Sequence, residues 1–332
     1  MRLGLFLAML AASTAATAAT PSYHVIASIP GPDGPWDYAR VDPVLHRLYV
    51  ARGAAVTVID LDPAGPARSI GEIAHGHAVV PFDDGKRLLV TSGDDGTVRI
   101  LDTASGVELK RVAVGKKADA AILDASGATG YVMNADGGTV SVVDLAAARV
   151  TRTIAVKPAL EYAAISKDGT LFVNNEDAGE IDTVDLGAGV TRAGIALPGC
   201  EGPTGLAYDA VHDRLIAACA NGKAAIVDAQ SHRLVKLIGI GLGPDAVILD
   251  TARGLAFIPC GKDGVLDILS VAEAEVTYVG RLQTEVGART GALDPTTGML
   301  YLPTAKLAPP AILGARPKPI AGTFHVVVVR PS

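Results

Sequence analysis

One residue marks regular intervals along this chain. Asp60, Asp102, Asp144, Asp185 and Asp228, followed by Ser270, stand 41 to 43 residues apart, and each closes a short apolar run. The same four-part unit surrounds each mark. In its clearest copy, residues 120–123 are an apolar run and Asp124-Ala125-Ser126-Gly127 is a turn. Tyr131-Val132-Met133 is a second run, 134–138 a second turn, 139–143 a third run and 150–156 a fourth. Runs this short, rich in Val and Ile and punctuated by Gly, Asp and Asn, read as strands and not as the helices of a solenoid. A period of about 40 residues carrying four strands is that of a propeller blade.

The units open near Asp37, His77 (or Ala78), Asp119, Glu161, Thr204, Asp245 and Arg289, which makes seven. The last holds only three runs, 290–293, 299–303 and 324–329. The stretch 23–29 resembles the fourth runs at 109–114 and 234–240, so it is predicted to complete the last blade from the N-terminal side. Such closure removes the free sheet edges that invite aggregation. The expected fold is all-β: a seven-bladed β-propeller of four-stranded antiparallel blades, one domain over residues 20–332. Residues 306–322 form a Pro-rich insertion in the last unit, either a lid or a passive surface flap.

Residues 1–19 read as a secretory leader. Arg2 supplies the positive start, 3–10 the apolar stretch and Ala16-Thr17-Ala18 a small-x-small cleavage site. An apolar stretch of this length is too short to span the ~30 Å of bilayer hydrocarbon. The mature chain is therefore expected in the periplasm or the medium, without a membrane span and as a monomer. The net charge is −6 and aromatics are 4% of the chain. Both argue against a nucleic-acid partner, which calls for a basic surface or stacking platforms. Three cysteines in an exported chain point to a disulfide. Cys200 and Cys219 are the favoured pair, since one precedes and the other ends neighbouring strands of one blade. A 219–260 bridge or no bridge at all are the alternatives.

Tyr131-Val132-Met133-Asn134 matches three letters of the YVTN repeat, and Tyr49-Val50-Ala51-Arg52, Leu89-Val90-Thr91-Ser92 and Phe172-Val173-Asn174-Asn175 are weaker copies. On these residues the chain resembles the bacterial YVTN-type β-propeller proteins, whose relatives include lactonase-like propellers. Cys200-Glu201-Gly202-Pro203-Thr204-Gly205-Leu206 with 214–219 is similar to a feature of an exported branch of that family. The resemblance implies the fold; propellers host many unrelated activities.

Propeller topology gathers the blade-opening residues at one end of the central channel. Asp37, His77, Asp119, Glu161, Thr204, Asp245 and Arg289 are expected there as a ring, beside Trp36. Two function classes use it. In the first, the acidic mouth binds a small molecule or a protein without catalysis, through Trp36, Asp119, Glu161, Asn175, Thr204 and Asp245. In the second, implied by the lactonase-like resemblance, Glu161, Asp119, Asp245 and Asn175 hold Ca²⁺, which takes oxygen ligands. Asp37 or His77 then serves as general base and Arg289 orients an anionic substrate. Against both stands a plainer role, in which these acids cap turns. Trp36 is equally apt to pack on a neighbouring blade. His75 and His77 are the only closely spaced histidines, and either bind a transition metal or stand solvated in a loop. No haem, phosphate-loop or nucleophile-elbow motif occurs, and Ca²⁺ is the one cofactor in view.

Overall fold

A computed structural model describes residues 22–310 and 317–332, so the leader expected at 1–19 lies outside the described residues. The chain forms seven four-stranded antiparallel sheets and one two-stranded ribbon. The first strands, Trp36–Asp42, Val79–Phe82, Ala118–Leu123, Leu160–Ile165, Pro203–Asp209, Ile248–Asp250 and Ala292–Leu293, each touch the next, and the last touches the first. This is a closed seven-bladed β-propeller with the first strands around the channel. In the seventh sheet the order runs Tyr23–Pro30, His325–Pro331, Leu300–Thr304, Ala292–Leu293. The N-terminal strand is thus the outer strand of the last blade, paired along its length from Tyr23 with Pro331 to Pro30 with His325. No helix among the described residues is long and apolar enough to cross a membrane.

The recurring Asp has a local cause. Asp102, Asp144, Asp185 and Asp228 accept backbone N–H bonds from Ser105, Ala147, Ala188 and Ser231, three residues on. Each caps the turn into the outer strand, an Asx turn that a hydrophobic residue cannot make. Apolar residues of the second strands fill the space between blades: Tyr49, Phe172 and Phe257 are fully buried.

The residue after those second-strand runs has a different task. It ties down the loop that leads into its own blade. Arg52 donates to the carbonyls of Pro32, Gly34 and Pro35, the Ser92 hydroxyl to Ala74, the Asn175 amide to Pro158 and the Thr304 hydroxyl to Val286. In blade five the tie is covalent: Cys219 is bonded to Cys200, with Cα atoms 5.4 Å apart. Cys260 is a buried free thiol. Loops carrying unpaired backbone groups need such partners wherever they are withdrawn from water.

The described ends of the 306–322 insertion form a ribbon, Leu307–Ala308 with Lys318–Pro319, and the Gly322 N–H donates to the Asp33 carboxylate. These ends therefore sit on the same face as the loop leading into blade one.

The Cys200–Cys219 bridge closes 19 residues of sequence. Replacing both residues by Ser is expected to cost about 3 kcal/mol. A denaturant titration checks this: the midpoint falls, and reduction of the native protein lowers it equally. An unchanged midpoint in both cases means that hydrogen bonds alone hold this loop.

Candidate functional site

The mouth is shaped by a bulge that returns from blade to blade. In blade one Trp36 pairs with Arg52 and Ala39 with Val50, so Asp37 and Tyr38 together oppose Ala51. The same slip occurs at Asp119-Ala120, Glu161-Tyr162 and Thr204-Gly205. A bulge adds one residue to a strand and re-aims its side chains. Here it falls on the blade-opening residue each time. Blades two, six and seven differ: their first strands start late, and His77, Asp245 and Arg289 stand in the connections ahead of them.

Neighbouring blades hold these bulges by side-chain bonds to the main chain. Thr290 donates to the Asp37 carbonyl, Thr91 to that of Asp119 and Asn174 to those of Thr204 and Gly205. The side chains then meet across blades. His77 Nδ1 lies 2.8 Å from Asp37 and 3.3 Å from Asp119, which links three blades. Lys117 stands 3.9 Å from Asp119 on its outer side. Arg289 Nε donates to Asp245 at 2.8 Å and a terminal nitrogen to the Trp36 carbonyl at 3.0 Å. Glu161 has no hydrogen-bond or ion-pair partner among the described residues.

Crowded acids in a half-buried ring resist ionisation. Burial raises Asp119 to about 6 although His77 pulls the other way, and burial raises Asp245 to about 6 against the pull of Arg289. Glu161 is pushed well above the usual carboxylate range by burial, then by Asp119 and Asp245. Burial works against a charged His77, but the bond to Asp37 and the charge of Asp119 outweigh it and its pKa rises. The mouth therefore takes up protons readily and holds more acid than its own cations neutralise.

The expected site residues do not all share this place. Asp37, His77, Asp119, Glu161, Asp245 and Arg289 do. Thr204 opens its blade as expected, but its hydroxyl bonds the Pro244 carbonyl at 3.1 Å. Trp36 is buried against Phe324 of the last blade, with ring centroids 5.8 Å apart, which is the packing role. Asn175 is the loop tie of blade four, and its amide also bonds Asp182 at 2.9 Å within its own blade. The Ca²⁺ set of Glu161, Asp119, Asp245 and Asn175 does not fit these positions. Asn175 is engaged elsewhere, Asp119 and Asp245 each face a cation, and among the described residues no three His, Cys, Asp or Glu groups are placed to hold a metal ion. His75 stacks 4.5 Å from His77 and bonds Asp94 through Nδ1.

Below the ring the channel holds groups that sequence reasoning passed over: Tyr38, Tyr162 and Arg40. Tyr38 and Tyr162 are the second residues of two bulges. No sequence signal marks a bulge, so these tyrosines read as strand interior.

No family model matches the chain, and no curated protein matches it by sequence. Solved structures do. A chain of Kuenenia stuttgartiensis hydrazine synthase is similar with a TM-score of 0.71 at 16% identity, over 89% of this chain and 96% of that one. A chain of a mitotic checkpoint complex is similar with a TM-score of 0.72 at 16% identity, over 98% and 99%. Likeness at this identity speaks for the propeller fold alone.

The raised acids set a pH dependence. An acid whose pKa rises on folding stabilises the fold when protonated, fully below its unfolded value near ~4, and this is lost as pH rises through the folded value. For Asp119 and Asp245 that loss runs through about 6. Raised His77 acts in the same direction. Glu161→Gln, which mimics the protonated form, is expected to raise the melting temperature by roughly 2 °C or more at pH 8 and far less at pH 5. Melting curves across this range check it; equal shifts at both pH values would show that Glu161 ionises freely.

Proposed function

We propose that this chain is an exported, monomeric, single-domain propeller of the YVTN type that binds a small molecule or a protein at its acidic channel mouth, without catalysis. The observation that carries the reading is Glu161, a half-buried carboxylate with no partner among the described residues, set among Asp37, Asp119 and Asp245. Such a group is costly to ionise alone and is stabilised by a cation supplied from outside. The ligand is therefore expected to present a positively charged group, an amine or guanidine, to the ring. The ribbon Leu307–Ala308 with Lys318–Pro319 lies on this face and offers further contact to a protein partner. Export is supported by the leader-like residues 1–19 and by the Cys200–Cys219 bridge, which belongs to oxidising compartments.

The lactonase-type hydrolase remains the second reading on one observation. Asp37 stands 2.8 Å from His77 Nδ1, the placement that orients an imidazole general base. Arg289 is committed to Asp245 and would have to leave it to bind an anionic substrate.

Thermal-shift measurements on the mature protein separate the two. With choline, spermidine, glycerol and acetate at pH 7.5, the amines are expected to raise the melting temperature, and Glu161→Gln to remove most of that gain. No preference for the amines would sink the cation-binding reading. A melting temperature that falls in EDTA and recovers with Ca²⁺ would instead favour the hydrolase.

A further inference from the structure

The channel has a second end. Below the mouth ring it widens into a cavity of about 700 Å³, within the range of ligand pockets. Its rim is made of Ala125, Lys167, Ala210 and Pro295, turn residues between first and second strands, so it opens on the face opposite the mouth. Its walls are mostly apolar.

Strand register aligns the blades position by position and exposes one exception. Arg40 pairs with Tyr49 in blade one. The same place is held by Val80, Ile122, Ala164, Ala207, Ile248 and Ala292 in the others. One cation thus stands in an otherwise apolar layer. Arg40 donates to the Tyr162 hydroxyl and lies 5.7 Å from that ring's centroid. Among the described residues no carboxylate pairs with it. Tyr38, two residues earlier and facing the same way along the strand, is buried beside it, and its hydroxyl has no hydrogen-bond partner. Burial, then Asp245 and Glu161, hold Tyr38 as a neutral phenol with a proton to donate. The Tyr38 and Tyr162 rings lie 4.7 Å apart.

A lone guanidinium withdrawn from water is stabilised by a carboxylate, whose two oxygens match its fork of donors. We propose that the lower channel binds an organic monoanion, a carboxylate on an apolar body. Its headgroup pairs with Arg40 and accepts from Tyr38, and its apolar part lies against Ile122, Leu206, Val247 and Ile248. This proposal does not rest on the cation-binding reading of the mouth.

Displacement of the fluorescent anion anilinonaphthalene sulfonate from the mature protein tests it, with octanoate, octanol and acetate as competitors. Octanoate is expected to displace the dye at least tenfold better than either octanol, which lacks the charge, or acetate, which lacks the body. Arg40→Met is expected to weaken octanoate at least tenfold with an unchanged circular dichroism spectrum, and Arg40→Lys to weaken it less. Equal competition by octanol, equal competition by acetate, or a folded Arg40→Met protein that binds octanoate as the native one does, each overturns the proposal. Should Arg40→Met fail to fold, the three competitors on the native protein decide alone, and Tyr38→Phe is expected to weaken octanoate severalfold.

Discussion

Everything in this molecule depends on the pairing of its two ends. Each blade buries its faces only against neighbours, so the ring is stable when every blade has two. The antiparallel ladder between Tyr23–Pro30 and His325–Pro331 makes the seventh sheet complete and joins the start of the chain to its finish. Without it the last blade would keep three strands and expose a row of unpaired backbone groups. The first strand of blade one touches the first strands of both the second and the seventh, which closes the ring.

A closed ring repeats a backbone but not a function. The ties at Arg52, Ser92, Asn175, Cys219 and Thr304 differ in chemistry and perform one task, holding the loop ahead of five of the seven blades. Because those loops are held, the bulges that follow can point side chains at a shared axis. What those side chains are is unconstrained by the repeat. The mouth carries an acid excess, with Glu161 unpaired among the described residues, while the layer beneath is apolar apart from Arg40. Two ends of one channel thus offer opposite chemistry, separated by the paired rings of Tyr38 and Tyr162.

Much of the fold was legible because its signals are local. The capping Asp at the end of the third strand in blades two to five bonds a backbone group three residues away, and that short reach is why it recurs at the blade period. The Cys200–Cys219 pair was legible for a like reason, since a strand and the loop before it cannot be far apart. Asn175 shows the limit. As an oxygen-bearing residue on the mouth face it suited a cation, but the loop ahead of its own blade needed a donor, and that local demand decided its orientation. Trp36 is a similar case, claimed by Phe324 from the other end of the chain.

Sequence alone determined the number of blades, the strand order within each and the closure from the N-terminal side, because strand periodicity and turn chemistry act over a few residues. Only the tertiary structure decided which side chains face one another across the channel. His77 between Asp37 and Asp119, and, among the described residues, Glu161 without a partner and Arg40 without a counterion are relations between blades some 40 residues apart or more. They arise where strands and loops of separate sheets converge on one axis, and that axis is not written in the local order of residues.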